Sequence, residues 1–302
     1  MMNTILDTIR NTLPVVSIAE EDPMKAHCSF RTGGAAAAFL APEDEESMMK
    51  LLAMLSENKI PFIILGNGTN VVFHDESLPY YIISTEKLQG ISLTEEGYIC
   101  AQAGAALSRV ASFAYENSLT GMEFASGIPG SAGGGVLMNA GAYGGELKDI
   151  VLSVRCCGKD GKCVQKLPAE QCDFRYRQSL FQSGDYVILG AAFRLERGEK
   201  SSIAAKMKEL NARRREKQPL DLPSAGSAFK RPEGHYAAAL IEQCGLKGTA
   251  VGGAQVSEKH AGFIVNTGTA TSADLEALLT LVSNTVKEKT GIELQREIIL
   301  FP

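Results

Sequence analysis

The chain has 302 residues, of which 45% are apolar and 22% are charged, a balance typical of a globular protein with a substantial buried core. Its net charge of −5 argues against nucleic acid as a general partner, because phosphate backbones are bound by clustered lysine and arginine. Its apolar stretches end far short of the roughly 20 residues that cross a bilayer. The N-terminus lacks the apolar block of a secretory signal. We therefore predict a cytoplasmic protein without a membrane span.

Hydrophobic periodicity predicts a mixture of helices and short strands in the first half of the chain. The predicted elements are a helix over 42–58, strands over 62–65, 71–73, 80–84 and 98–101, and a helix over 106–117. The residues between 150 and 195 are predicted to return to β structure, in the runs VLSVRCC, KCVQKL and YVILGAAFRL.

A long helix predicted over 201–217 ends before Pro219, and a domain boundary is predicted near it. Beyond it the predicted elements are helices over 236–244 and 272–289 and strands over 262–265 and 292–300. The second of these helices is expected to begin with a Thr271-x-x-Asp274 capping box and to end at Gly291. This part of the chain is predicted to be an α+β unit.

The run from Gly121 to Gly145 holds nine glycines in 25 residues. Glycine lets backbone N–H groups approach a pyrophosphate closely, and this density is more than turns alone require. A second run, Gly66-Asn67-Gly68-Thr69-Asn70, follows a predicted strand. Neither run fits a Rossmann fingerprint or a Walker site. Together they predict a long cofactor bound from two sides.

A basic cluster between Lys206 and Arg231 holds eight Lys or Arg and three Asp or Glu, a local excess of 8 − 3 = +5. A solvated helix face and a site for an anionic ligand explain it about equally well. The seven cysteines include no C-x-x-C pair, so we interpret them as reduced thiols. Zinc binding by the residues from Cys156 to Cys172 is the less favoured alternative to apolar filling of strands, and no metal is expected.

Several segments resemble, in order, those of the UDP-N-acetylenolpyruvoylglucosamine reductase (MurB) family. These segments are SFRTGG (29–34), ILGNGTNVVF (64–73), the glycine-rich run, FRYRQSLF (174–181), the run KQPLDLPSAGSAFKRPEG and HAGFIVN (260–266). The spacing of 50 residues between Arg177 and Ser227 resembles the shorter (type II) class of the family. Local departures stand at Arg231, where the family often has asparagine, and at Ile299, where it often has arginine.

The resemblance implies an α+β fold, with an FAD-binding domain of the vanillyl-alcohol-oxidase (PCMH) type followed by a C-terminal α+β substrate-binding domain. The corresponding ranges are 1–204, in subdomains of about 1–76 and 77–204, and 205–302, whose last strand returns Glu297 to the active site. It further implies non-covalent FAD, NADPH as the hydride donor and a sugar nucleotide as the substrate. A monomer is expected, with no nucleic acid or membrane partner.

Three catalytic positions of the family match Arg177, Ser227 and Glu297. The reaction it implies delivers hydride to an enolpyruvyl ether and leaves negative charge at C2, delocalised into a carboxylate. An arginine fork and a nearby acid stabilise that charge, and a serine hydroxyl supplies the proton to C2, helped by Lys230. Taken singly, these residues are more often a surface contact, a turn and a solvent-exposed carboxylate. Their joint occurrence in family order favours catalytic roles.

The remaining site predictions concern the cofactor and the substrate. Predicted cofactor contacts are Gly66, Asn67, Gly68, Thr69, Asn70, Gly127, Ile128, Pro129, Gly130, Ser131, Gly134, Asn139, Ala140, Gly141, Ala142 and Arg214. Predicted substrate contacts are Tyr176, Lys217, Lys230 and Arg231. His260 receives no catalytic role, because a hydrogen-bonded structural histidine is at least as common.

Two other functions remain as alternatives at this point. One is a flavin oxidase acting on an alcohol or sugar; such enzymes often attach flavin through a histidine or cysteine, and neither occurs within Gly121–Gly145. The other is a nucleotide-sugar-binding regulator without turnover, which would not require Ser227.

Overall fold

The structure, a computed structural model, describes residues 2–301. The helices are α1 (Met2–Thr12), α2 (Glu45–Glu57), α3 (Leu107–Glu116), α4 (Ala132–Leu137), α5 (Lys200–Lys217), α6 (Ala237–Gln243) and α7 (Ser272–Thr290). Within the described range, no helix combines the length and the apolar character that a membrane span requires.

The strands are short and are spread over the whole chain. They are β1 (Val16–Pro23), β2 (Ala35–Pro42), β3 (Phe62–Leu65), β4 (Val71–Phe73), β5 (Leu78–Ser84), β6 (Ile91–Leu93), β7 (Ile99–Gln102), β8 (Leu119–Thr120), β9 (Gly141–Ala142), β10 (Gly145–Glu146), β11 (Val151–Gly158), β12 (Gln165–Pro168), β13 (Tyr186–Phe193), β14 (Glu196–Arg197), β15 (Ser224–Ser227), β16 (Ala250–Val251), β17 (Ala254–Val256), β18 (Phe263–Asn266) and β19 (Ile299–Phe301).

By contacts, the chain forms two compact units, each assembled from separate segments. The first unit comprises Met1–Glu20, Ala37–Asn67 and Pro79–Ala212, and the second comprises Glu21–Ala36, Gly68–Leu78 and Arg213–Pro302. The second unit therefore contains two segments from the first 80 residues. The division into domains at 204 and 205, and into subdomains at about 76, stays a prediction about function.

The first unit is built on an antiparallel sheet with strand order β12-β11-β13-β7-β6 and on a second sheet with order β1-β2-β5-β3. Successive residues of a strand point to opposite faces. Accordingly, Ile188 of β13 packs in one core with α3 and α4, whereas its neighbour Leu189 packs in another core with α1 and α2. A sheet buried on both faces explains why β13 is apolar along its whole length.

The second unit packs α6 and α7 with the sheet β15-β18-β17-β16. Helix α7 contributes an apolar stripe at three- and four-residue spacing, formed by Leu275, Leu278, Leu279, Val282 and Val286. Phe30 and Val72, from the two early segments, belong to the same core. Strand β19 pairs in parallel with β4, so the end of the chain lies beside the residues that follow Gly68–Asn70.

Most of the predicted elements are confirmed within a few residues. The capping box of α7 is present, with the Thr271 and Asp274 side chains each accepting the other residue's backbone N–H. Gly291 ends that helix in the left-handed conformation, with φ of 73°. Helix α2 begins at Glu45 and not at 42, because Asp44 caps it by accepting the backbone N–H of Ser47.

The strand predicted over 292–300 is wrong for most of its length. Only Ile299–Phe301 forms a strand, and residues 292–298 are irregular apart from a single bridge between Arg296 and Phe229. Burial still follows the apolar pattern, because Leu294 and Ile298 are buried. The segment bonds instead to the loop after β15, where Lys230 N donates to Gln295 O and Glu297 N donates to Ala228 O. The spacing of apolar residues determines which side chains are buried in this segment, but it does not provide the hydrogen-bonding partner that a strand requires.

Candidate active site

The glycine-rich run contains glycines of several different kinds. Gly133 and Gly135 lie in α4, where an added Cβ would come within 2.9 Å of Ala103 and Leu107 side-chain atoms respectively. At Gly145 it would come within 2.6 Å of the Phe124 ring. These glycines are required by packing of the chain against itself. None of these three glycines is among the predicted cofactor contacts, and packing alone accounts for them.

Gly134 is the exception within α4, because it is exposed while the residues on either side are buried. A Cβ there would meet only Ser131 Oγ, at 3.3 Å. Ser131 caps the helix by accepting the backbone N–H of Gly134. The exposed side of α4 therefore presents backbone, with no side chain at Gly134 to keep a ligand away.

The first two residues of the Gly66–Asn70 segment contact the glycine-rich run within the first unit. Asn67 Nδ2 donates to Pro129 O at 2.9 Å. A Cβ on Gly66 would lie 2.5 Å from Ser131 Oγ, so a side chain there would displace the hydroxyl that caps α4. The end of β3 and the start of α4 are thus joined beside the bare backbone at Gly134. These residues allow a ligand to come close to the protein backbone. The pyrophosphate of FAD requires such an approach, so the residues fit this cofactor.

The run ends in a tight hairpin of β9 and β10. Ala142 pairs with Gly145, and the two central residues, Tyr143 and Gly144, have φ of 54° and 90°. Two successive positive values are characteristic of a type I′ turn, which matches the twist of a two-residue hairpin. This turn brings Glu146 back opposite Gly141.

Arg177 is held against this hairpin by its side chain. Its Nη2 donates to Gly141 O at 3.3 Å and its Nη1 to Asn139 O at 3.5 Å, and Nη1 lies 4.0 Å from Glu146 Oε1. The guanidinium also lies over the Tyr176 ring, with Cζ 4.8 Å from the ring centroid. With 17% of its side chain exposed, Arg177 is fixed in orientation and still accessible to a ligand.

The backbone at Arg177 is unusual as well. Arg175 and Gln178 bond to each other's backbone groups, and Arg177 within that turn has φ of 53°. Arginine seldom adopts a backbone conformation with positive φ, and such conformations concentrate at functional sites. Ser179, in the same motif, is buried and donates to Leu137 O at 2.7 Å, which ties the turn to the end of α4.

Asn139 has a structural task that sequence reasoning did not assign. The fully buried amide donates to Glu146 Oε2 and to Arg175 O, and its oxygen accepts Lys148 N. Its φ of 42° is one that asparagine tolerates. Since both donors are used inside the protein, the observed role of Asn139 is to hold the hairpin and the Arg177 turn together. A side-chain contact with the cofactor stays a prediction.

In the second unit, Ser227 lies at a β-bulge. Ser224 pairs with Val265 and Ser227 with Phe263, so β15 holds one residue more than β18 between these pairs. Gly226 has φ of 77°, which explains the glycine before the serine. Ser227 is half-buried, and the following Ala228 N donates to Gly262 O at 2.8 Å.

Glu297 lies beside this bulge through its backbone. Glu297 N donates to Ala228 O at 2.9 Å, and Asn70 Nδ2 donates to Glu297 O at 3.1 Å. Ile299 N donates to Asn70 O at 3.0 Å. The structure thus brings together two of the predicted catalytic residues and the end of the Gly66–Asn70 run, from three distant parts of the sequence.

The predicted substrate residues of the second unit have different surroundings. Lys230 is half-buried, and its N donates to Gln295 O at 2.8 Å. Arg231 is exposed, with its guanidinium 3.9 Å from the centroid of the exposed Tyr236 ring. Lys217 is exposed in the last turn of α5, where Lys259 Nζ donates to Arg215 O at 2.7 Å.

Much of the basic cluster is a solvated helix face. Lys206, Lys208, Arg213 and Arg215 of α5 are exposed, whereas Arg214 is half-buried.

His260 accepts Gly262 N at 3.1 Å and packs edge-on against Phe263. Burial lowers the pKa of His260, with Lys247 and Lys217 lowering it further. His260 is therefore a hydrogen-bonded, neutral histidine, in agreement with the prediction that gave it no catalytic role.

The cysteines from 156 to 172 lie mostly in the core. Cys156, Cys157 and Cys172 are buried free thiols, and Cys163 is exposed. Burial raises the pKa of Cys157 to about 11 and that of Cys172 to about 12. Thiols protonated at neutral pH pack as small apolar groups.

Glu146 is a residue of this site that the sequence analysis missed. It bonds to Asn139, lies near Arg177 and also forms an ion pair with Lys148 at 2.7 Å. Its only signal in the sequence is its place directly after the glycine-rich run, which alone does not distinguish it from a surface carboxylate.

Comparison with known proteins identifies the family of this chain. A family profile described as UDP-N-acetylenolpyruvoylglucosamine reductase, C-terminal domain, matches residues 218–301, and a profile described as FAD binding domain matches residues 36–165. The predicted fold class and the predicted FAD cofactor are thereby confirmed.

Relatives and a solved structure extend the match to both chain ends. A UDP-N-acetylenolpyruvoylglucosamine reductase of Caldanaerobacter subterraneus is 45% identical over 298 residues, which cover 99% of this chain and 98% of the relative. A reductase of the same name from Clostridium novyi is 46% identical over 91% of this chain and 89% of its own. The crystal structure of the reductase from Thermus caldophilus matches with a TM-score of 0.80 and 31% identity, covering 95% of this chain and 99% of that one. The chain belongs to the UDP-N-acetylenolpyruvoylglucosamine reductase (MurB) family.

Proposed function

We propose that this protein reduces UDP-N-acetylglucosamine enolpyruvate to UDP-N-acetylmuramate, with NADPH as the hydride donor and non-covalently bound FAD, in the synthesis of peptidoglycan precursors. The observation that supports the proposal is the hydrogen bond from Glu297 N to Ala228 O, the residue that follows Ser227. FAD supplies hydride transfer when bound, and the residues of this chain bind, orient and move protons.

Arg177 is proposed to hold the carboxylate of the enolpyruvyl group. Hydride delivered to the terminal CH2 leaves negative charge at C2 that spreads into this carboxylate. A planar guanidinium matches a carboxylate, and one that is already oriented loses little entropy when charge develops. Support comes from the bonds to Asn139 O and Gly141 O, which fix the Arg177 fork before a ligand arrives.

Ser227 is proposed to give its hydroxyl proton to C2. Lys230, three residues later, stabilises the alkoxide that remains, and Glu297 shares a proton with the developing enolate. Support comes from the bond of Ala228 N to Gly262 O, directly after Ser227, and from the bond of Glu297 N to Ala228 O.

The remaining contacts are proposed by family position together with charge, except that Arg231, where the family often has asparagine, is proposed from its charge alone. Tyr176, Lys217, Lys230 and Arg231 are proposed to bind the sugar nucleotide, whose two phosphates need local positive charge in a net acidic protein. Arg214 is proposed to reach the flavin pyrophosphate. The cofactor contacts proposed in the two glycine segments are Gly66, Asn67, Gly68, Thr69, Asn70, Gly127, Ile128, Pro129, Gly130, Ser131, Gly134, Asn139, Ala140, Gly141 and Ala142.

The same proposal covers the wider setting of the protein. Residues 1–204 are proposed to bind FAD and residues 205–302 to bind the sugar nucleotide, with Glu297 returning to the reaction from the end of the chain. We further propose that the protein acts as a cytoplasmic monomer.

The proposal is tested by separating the two halves of the reaction under anaerobic conditions. In the wild type, we expect NADPH to bleach the flavin and the enolpyruvyl substrate to restore its absorbance. Ser227→Ala is expected to slow only the second half, by about 1,000-fold, since it removes the proton donor. A wild-type protein that binds FAD but is not reoxidised by the substrate would overturn the proposed reaction. Normal turnover by Ser227→Ala would overturn the proposed proton donor.

A further inference from the structure

Ser29 lies in the second unit and connects two segments that are distant in sequence. Its hydroxyl donates to Ser224 O at 2.6 Å, across 195 positions of the chain. Its backbone N donates to Gly68 O at 2.9 Å. One residue therefore bonds both to the Gly66–Asn70 run and to the first residue of the strand that carries Ser227.

The residue after Ser29 is connected through Asn266 of β18 to Pro223, the residue directly before β15. Phe30 is fully buried, and its carbonyl accepts Asn266 Nδ2 at 2.9 Å. Asn266 N donates in turn to Pro223 O at 2.8 Å. The Asn266 amide oxygen accepts Gly268 N and Ala270 N. The start of β15 is thus held by Ser29 on one side and by Asn266 on the other.

The bonds that hold the start of β15 affect the position of Ser227 because the strand is bulged. Strand β15 has only four residues, and its regular pairing with β18 is interrupted between Ser224 and Ser227. Gly226, which has no side chain to pack, lies inside the interruption with φ of 77°. A bulged strand has fewer ladder bonds to set its position. The Ser29 bond anchors the strand on the N-terminal side of the bulge.

We propose that Ser29 is a positioning residue that sets the place of the Ser227 hydroxyl relative to the Gly68–Asn70 segment. The proposal rests on the proposed role of Ser227 as the proton donor. Loss of the Ser29 hydroxyl removes one of the bonds that hold Ser224, next to its pairing with Val265, and keeps the backbone bond to Gly68. A shift of the order of 1 Å at a reacting group can lower a rate by about 100-fold. The effect is expected on proton delivery and not on the binding of FAD.

The test measures the two half-reactions of Ser29→Ala and Ser29→Thr. For Ser29→Ala we expect flavin reduction by NADPH, and the FAD affinity read from flavin fluorescence, to stay within about twofold of wild type. Flavin reoxidation by the enolpyruvyl substrate is expected to be at least about tenfold slower. Ser29→Thr keeps the hydroxyl and is expected to recover most of that rate. A larger solvent deuterium isotope effect on reoxidation in Ser29→Ala is expected if proton delivery has become slower.

Ser272→Ala is the matched control. Ser272 is another serine of the second unit, and its hydroxyl donates to Asp75 Oδ2 at 2.7 Å across 197 positions. This control removes a similar long-range bond away from β15. Reoxidation by Ser29→Ala within twofold of wild type would overturn the proposal, as would an equal slowing by Ser272→Ala. If the wild-type flavin were not reoxidised by the substrate at all, the proposed function would fail instead.

Discussion

The two units fix their candidate catalytic residues by different means. Arg177 is oriented by its side chain, which bonds to Asn139 O and Gly141 O and approaches Glu146. Ser227 is placed by main-chain bonds around a bulge, including Ala228 N to Gly262 O and Glu297 N to Ala228 O. A side-chain change at Arg177 therefore alters both the charge and the local structure, whereas a change at Ser227 removes a hydroxyl and leaves the bonds that place it.

The strongest test of this difference combines kinetics with stability. We expect Arg177→Lys to lower kcat/KM by about 100-fold or more, because an ammonium does not reproduce the planar fork. It is also expected to lower the unfolding temperature by a few degrees, since the contacts to the hairpin are lost. Ser227→Ala is expected to lose more activity with an unfolding temperature within about one degree of wild type. The comparison is contradicted if Ser227→Ala destabilises the protein as much as Arg177→Lys does.

A second test separates the glycines that pack from the glycine that faces outward. Gly133→Ala places a Cβ 2.9 Å from Ala103 Cβ and 3.1 Å from Ala103 O, and we expect it to lower the unfolding free energy by about 1–3 kcal/mol. Gly134→Ala meets only Ser131 Oγ and is expected to change that free energy by less than about 1 kcal/mol. Urea titration of the FAD-free protein measures both.

FAD affinity is expected to show the opposite order. Gly134→Ala should weaken FAD binding, read from flavin fluorescence, because it adds a methyl group to the bare face of α4. If Gly134→Ala binds FAD as the wild type does, the cofactor does not approach that face. Gly133→Ala, once folded, retains the exposed backbone at Gly134 and serves as the control.

The smallest expected effect concerns His260 in the second unit. Burial lowers its pKa below the ordinary value of 6.5, so the unfolded chain binds this proton more readily than the folded protein does. Its contribution to stability is therefore lost as the pH falls from about 6.5 through the lowered folded pKa. We expect the unfolding free energy to fall less between pH 7.5 and pH 5.5 in His260→Gln than in the wild type. His235 is exposed, so His235→Gln is the control. If His235→Gln reduced the pH dependence of the unfolding free energy as much as His260→Gln does, burial of His260 would not be its cause.

Local chemistry allowed most helices of this chain to be predicted from sequence. Helix α7 shows why, because its apolar stripe, its Thr271 capping box and its terminal Gly291 all lie within the element itself. The strand over 292–298 was predicted from the same kind of pattern and is absent, because strand formation depends on a partner that the pattern does not identify. Strands β1 and β2 are present although the sequence pattern did not predict them.

The sequence by itself determined the family, the cofactor and the catalytic candidates, since these depend on residue types in a fixed order. Only the tertiary structure decided that Gly133 and Gly135 of α4 pack against the chain while Gly134 between them is exposed. It also assigned Asn139 and Glu146 to holding Arg177, and placed Ser29 against Ser224. These roles depend on contacts between residues far apart in sequence. A sequence pattern records which groups are present, but the distance between groups on distant segments is fixed only when the core is packed.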